Sequence, residues 1–197
     1  MANTELEKKV DEQMSEKVKT RAQELDDETL KFKAEVDKID DLTELENMEQ
    51  DVIKEIDEND AKLAETEYDL PESTTFRGQV FTREKVCQMV FDLLGNQQVG
   101  WQMTLGLFDV MDYWKGMTKK KDPKIKYQYY DATLRLLGQQ QYKGYENLRS
   151  ILVVNSLFTD ARDAYLEDLS YTYFLANKHD AILQRMDAIR ALNDKTI

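Results

Sequence analysis

The residues able to do chemistry are few and poorly matched to one another. His179 is the single histidine, so paired-histidine metal sites and a histidine-based triad lack their parts. Its neighbours Lys178 and Asp180 point to an exposed helix position. Cys87, the single cysteine, sits among Val86, Met89 and Val90. A thiol in such a setting is an inert packing group rather than a nucleophile. One cysteine also excludes a disulfide framework within the chain.

Carboxylates are abundant. Glu46 with Glu49, and Glu55 with Glu58, have the Glu-x-x-Glu spacing that sets two carboxylates on one helix face. Helical metal sites use that spacing, including the magnesium sites of all-α nucleotide pyrophosphatases. Residues 1–70 contain 24 acidic residues, however, so such spacings arise from composition alone. No basic phosphate-binding motif accompanies them, and the reading is a solvated charged face. The run Asp57, Glu58, Asn59, Asp60 lacks the glycine and terminal glutamate of a calcium loop. There is no glycine-rich phosphate loop and no dinucleotide fingerprint. The chain is therefore expected not to be an enzyme and to use no metal or cofactor.

One segment has a different chemistry. Between Lys115 and Arg149 lie nine basic residues, Lys119, Lys120, Lys121, Lys124, Lys126, Arg135 and Lys143 among them. Only Asp122, Asp131 and Glu146 oppose these. Tyr127, Tyr129, Tyr130, Tyr142 and Tyr145 are interleaved, as on surfaces where bases stack on rings above a cationic track. Lys119, Lys120, Lys121, Lys124, Lys126 and Arg135 are the candidate polyanion-binding residues. Two plainer readings compete. Tyr127 and Tyr130 share a helix face with Leu134 and would be core, and the lysines would meet acidic groups of this chain or of a neighbouring subunit. The net charge of −12 also opposes approach to phosphate.

The elements that must carry these residues are helical. Charged residues are 34% of 197, prolines number two and glycines seven, a composition of long solvent-washed helices. Alternating β-branched runs are nearly absent, which excludes a sizeable sheet. Thr4 and Glu7 fit a capping box. Leu6, Val10, Met14, Val18, Ala22 and Leu25 then follow at spacings of three and four, and Leu25, Phe32 and Ile39 recur every seven with Val36 between. This is the narrow stripe of a coiled-coil seam. A second stripe, Leu42, Leu45, Val52, Ile56 and Leu63, is out of phase by three residues. Either one helix carries a stammer or two helices form a hairpin. The Asp40-Asp41 interruption favours a break near 40–42, with Thr43 and Glu46 as a second capping box.

Leu70-Pro71 ends this charged arm (1–70), and 71–81 reads as a linker, briefly extended at 79–81. Residues 82–197 read as a four- to five-helix bundle. Its predicted helices span 83–94, capped by Thr82 and stopped at Gly95-Asn96; 97–116, apolar nearly all round and hence central; a helix from Pro123 capped by Asp122; 145–158; and a last series to the C-terminus with a break near Asn177. Gly100 and Gly106 are expected to admit a close neighbour. The fold class is thus all-α, a long charged coiled-coil-like N-terminal arm followed by a bundle.

The longest apolar-rich stretch, Val99 to Met111, is too short for a membrane span and holds Gln102 and Asp109. With no apolar signal-like segment at the N-terminus, a cytoplasmic setting, or the interior of a virus particle assembled in one, is expected. The arm's seams are too narrow to bury themselves. They point to a non-enzymatic structural or assembly protein in a larger complex, such as a phage virion or scaffold component. Its docking to a protein partner or to itself would run through Leu25, Phe32, Val36, Ile39, Leu45, Val52 and Ile56. The alternative is an acidic regulator or nucleic-acid-binding adaptor using the basic and aromatic segment 115–149.

Overall fold

A computed structural model describes residues 16–97, 100–121, 123–138 and 144–194. The capping pair Thr4 and Glu7, the stripe residues Leu6, Val10 and Met14, and Val99, Asp122, Tyr142 and Lys143 lie outside the described residues. Seven helices and two small antiparallel strand pairs are described, an all-α fold in class. Among the described residues no helix is long and apolar enough to cross a membrane. The described residues divide into two compact units, 16–63 with 165–194, and 64–164.

The first unit is built from α1 (Glu16–Val36), α2 (Leu42–Glu65, as far as Leu63) and the last helix, α7 (Thr159–Asp194), from Tyr165 onward. α1 stops at Val36 and the chain turns over 37–41, with Ile39 N–H donating to Val36 O at 3.1 Å. The phase slip in the sequence is therefore a hairpin turn. Asp41, not Thr43, caps α2: its Oδ1 accepts from the Thr43 N–H at 2.8 Å, satisfying one of the open amides of the first turn.

Partners on α2 rise in number as those on α7 fall. Glu55 meets Lys178, Asn59 meets Thr172 and Lys62 meets Asp168, so α2 and α7 run antiparallel. The two stripes of the arm close on α7. Val36, Leu45 and Val52 are buried with Ile182, Met186 and Ile189, and Phe32, Ile39 and Ile56 pack against that cluster. The expected coiled-coil-like arm is thus two strands of a three-helix bundle, because a third amphipathic helix from the far end of the sequence supplies the missing wall.

α7 is continuous through Asn177, without the expected break. Of the apolar series that helical spacing offers here, Leu166, Leu169, Tyr173, Ala176, Leu183, Met186 and Ile189, the last two are buried while Tyr173 and Ala176 are exposed, and Leu175 and Ile182 complete the inward face. Polar members of that inward face, Thr172 and His179, answer Asn59 and Glu49. Polar partners at core-facing positions blur the apolar period.

The second unit begins with β1 (Glu67–Asp69), then β2 (Ser73–Phe76) and β3 (Gln79–Thr82). The stretch read as a linker is an ordered hairpin. Its two turn residues, Arg77 and Gly78, have φ of 50° and 78°, the backbone a tight two-residue hairpin turn requires. α3 (Arg83–Gly95) follows, with the Thr82 side chain accepting from the Lys85 N–H as expected. Its Val86, Cys87, Val90, Leu93 and Leu94 are buried, and it packs on α4 (Trp101–Met117), α5 (Tyr127–Gly138) and α6 (Tyr145–Leu157).

α4 is not buried all round. Leu107, Val110, Trp114 and Met117 face inward, but Leu105 and Phe108 are 79% and 58% exposed. Neither Gly100 nor Gly106 has a neighbour at close approach. The glycine that does is Gly95, with Met111 Cε 3.2 Å from where a Cβ would lie. The stretch after Pro123 is not helix: Lys124–Lys126 forms β4, pairing antiparallel with β1 in the register Glu67↔Lys126, Tyr68↔Ile125, Asp69↔Lys124. The Tyr127 N–H donates to Thr66 O, so strand pairing wins the backbone groups that a longer α5 would use.

Candidate interaction surfaces

The seven seam residues nominated for docking are together, but they face their own chain. Leu25, Val36, Leu45 and Val52 are buried, and Phe32, Ile39 and Ile56 are half-buried against the same cluster. A ladder of polar contacts fixes the closure. Lys178 Nζ lies 2.7 Å from Glu55 Oε2 and 5.2 Å from the Phe32 ring centroid. Arg185 donates from Nε to Ile39 O at 2.9 Å and also reaches Asp40, holding the 37–41 turn. His179 is part of this seam rather than a surface group, its Nε2 3.4 Å from Glu49 Oε1.

The carboxylates of the two Glu-x-x-Glu pairs are drawn to different bases. Glu46 lies 4.0 Å from Arg190, Glu49 faces His179, Glu55 holds Lys178, and Glu58 lies 3.8 Å from Lys54. Among the described residues no group of three or more His, Cys, Asp and Glu side chains converges as a metal site would. A groove of about 580 Å³ near Arg21, Glu24, Lys62 and Asp168 belongs to the same unit. Its cations are engaged there: Arg21 with Glu24 and Lys62 with Asp168, each at 3.2 Å.

Cys87 is fully buried, and burial pushes its thiol from 9 to about 11. That is the opposite of what a nucleophile requires.

The basic segment divides. Lys124 Nζ is 3.5 Å from Asp69, Lys126 stands across the strand pair from Glu67, and Arg135 Nε is 2.8 Å from Asp131. Lys124 and Arg135 thus meet carboxylates, and Lys126 lies in register with one at the end of the acidic N-terminal stretch. Lys119, Lys120 and Lys121 form no ion pair with a described carboxylate. They occupy the turn after α4, where cations suit the carbonyl end of the helix, and Arg83 is bound to the Lys121 carbonyl.

Tyr127, Tyr129 and Tyr130 are structural. Tyr127 and Tyr130 pack on Tyr68, with Tyr130 buried and its phenol pushed up by that burial. Tyr113 stacks on Tyr129 at 3.8 Å and 8°, with the Lys120 ammonium 5.9 Å from its ring. The Tyr113 hydroxyl accepts from the Lys126 N–H at 3.0 Å and donates to Lys124 O at 3.1 Å. Tyr113 is thereby engaged as a brace for β4, with one ring face covered by Tyr129.

Sequence reasoning missed the exposed apolar groups of the second unit. Tyr145, Leu148 and Leu152 are 67%, 51% and 48% exposed, and spacings of three and four put them on one face of α6. The inward face of α6 is Val153, Val154 and Leu157. With apolar residues on both faces, periodicity alone does not tell a core face from a free one.

No family model, curated protein or solved structure matches the chain.

Proposed function

We propose that the protein is a non-enzymatic structural or assembly component that works through helix–helix contacts within a larger complex, of the kind from which a virion or scaffold is built. The observation that carries this reading is the free apolar stripe Tyr145, Leu148 and Leu152 on α6. Clustered exposed apolar side chains rimmed by polar ones mark sites of protein association. Glu146, Asn147 and Arg149 supply such a rim. The arm's own seam is engaged by α7, so in this reading the arm stiffens one unit while the other presents the contact.

The test is affinity capture from the native source with wild-type protein and with Leu148→Lys/Leu152→Lys. The expected outcome is a discrete partner retained by the wild type and lost by the variant, at unchanged helical circular dichroism. Equal capture by both proteins, or none by either, would remove the reading.

The adaptor reading retains Lys119, Lys120 and Lys121 as its support. It predicts salt-sensitive binding of single-stranded DNA or RNA, lost when the three become glutamate. Absence of binding at low salt would end it.

A further inference from the structure

Charged residues make up 34% of the chain, so a helix face turned to solvent is expected to carry charge. The outward face of α6 carries none. Tyr145, Leu148, Leu152 and Asn155 are all exposed and follow one another at spacings of three, four and three. The charged residues of α6, Glu146 and Arg149, are held off this stripe. Arg149 lies against the β2–β3 hairpin, its guanidinium 5.5 Å from the Phe81 ring centroid and bound to the Gln79 side chain, and Glu146 is 3.8 Å from it. Other exposed apolar groups lack such surroundings. Phe108 on α4 has Asp109 and Asp112 beside it, and Leu30 on α1 has Asp26, Asp27, Lys31 and Lys33 around it.

A chargeless face discriminates among occupants. Phosphate finds no cation on it, and an anionic lipid surface finds none of the lysines that hold such surfaces. A highly charged helix would bury its charges against leucine without a partner. A second copy of the same face has neither fault. In a two-fold contact identical surfaces meet, so a charge near the axis is set against itself. The acidic outer sides of α1 and α2 would repel in that way. The α6 face has no charge to repel, and it lies in a stretch, 64–164, that holds 13 basic and 13 acidic residues.

We propose that the outward face of α6 pairs antiparallel with the same face of a second copy, about a two-fold axis near Ser150. Leu148 of each copy then lies on Leu152 of the other. The Tyr145 phenol meets the Asn155 amide, two neutral groups that can each donate and accept, and the helix dipoles oppose. The inference rests on the assembly reading and names a second copy as the partner. The patch is smaller than a permanent interface. The contact is therefore weak between free copies and works where a complex holds copies close together.

Sedimentation velocity on wild type, Leu148→Lys and Leu152→Glu, each checked for unchanged circular dichroism, gives the test. Wild type is expected to pass from monomer to dimer with concentration. Added salt should strengthen the dimer, because it screens the repulsion between two chains of −12 and the contact has no charge to lose. Each variant alone should associate about tenfold more weakly or worse, a charge being set against leucine. An equal mixture should recover association: the introduced lysine then faces the introduced glutamate, and the remaining Leu152 and Leu148 stay paired. A wild type that stays monomeric at every concentration overturns the proposal, as does association that salt weakens, that grows beyond dimers or that ignores both variants. A mixture that fails to recover overturns the antiparallel pairing and the proposal with it. The assembly reading is judged separately: capture of a different protein by wild type, lost in Leu148→Lys/Leu152→Lys, keeps that reading even where the self-contact fails.

Discussion

The two units handle apolar surface differently. The three-helix unit is acidic and thinly apolar, and its stripes meet end to end in one cluster from Val36 to Ile189. The second unit is charge-balanced, rich in aromatic contacts such as Trp114 with Phe158 and Tyr130 with Phe158, and leaves more large apolar side chains in water than the first, where Leu30, Tyr173 and Leu192 are exposed. Narrow stripes on highly charged helices must find one another to fold at all. A broader apolar composition can close a core and still have residues to present. The unit that looked made for docking is therefore occupied with its own closure, and the unit that looked like plain core carries free apolar faces.

The largest blow to this contrast would come from Leu45→Ala, which empties a fully buried position in the three-helix cluster. A loss of about 3 kcal/mol is expected, read as a shift in the urea transition followed by far-ultraviolet circular dichroism. A loss below about 1 kcal/mol would mean the seam is not closed as described.

In the second unit, burial raises the Cys87 thiol from 9 to about 11. The unfolded chain therefore ionises first. This contribution to stability is whole below pH 9 and is lost as pH rises from 9 to about 11. The full effect is about 2–3 kcal/mol. Cys87→Ala should flatten the decline of melting temperature with pH over that window, and an unchanged slope would contradict the burial.

Next in size is Thr133→Val. The Trp114 Nε1–H donates to Thr133 Oγ1 at 2.8 Å, and both side chains are fully buried. Leaving that donor unpaired should cost about 2 kcal/mol and shift tryptophan emission. Asp41→Ala, which removes the cap of α2, should cost about 1 kcal/mol by chemical denaturation. The smallest effect sharpens the contrast from the other side. Leu152→Ser on the free face of α6 should change stability by less than about 0.5 kcal/mol, where the same change at buried Leu157 should be severe.

Much of the fold was legible in the residues. Helical class, the start of α3 at Thr82 and the inert setting of Cys87 follow from local rules that neighbours do not overturn. The site was less legible. Lys124, Lys126 and Arg135 look like a free cationic track until β1 is placed opposite β4 and Asp131 one turn from Arg135. The phase of the middle of α7 was obscured by Thr172, a polar side chain that is at home at an inward position because the Asn59 amide donates to its hydroxyl. The strand at 124–126 overrode a proline helix start because a partner strand more than fifty residues upstream took up its backbone groups.

By itself the sequence determined the all-helical class, the acidic N-terminal third with a nearly neutral remainder, and the existence of two apolar stripes before Leu70. These are properties of composition and spacing, which each segment carries wherever it goes. Which stripe is covered and which is free was decided only by tertiary structure. Burial is a relation between surfaces, and the surface that closes the N-terminal seam lies on α7, more than a hundred residues further along the chain.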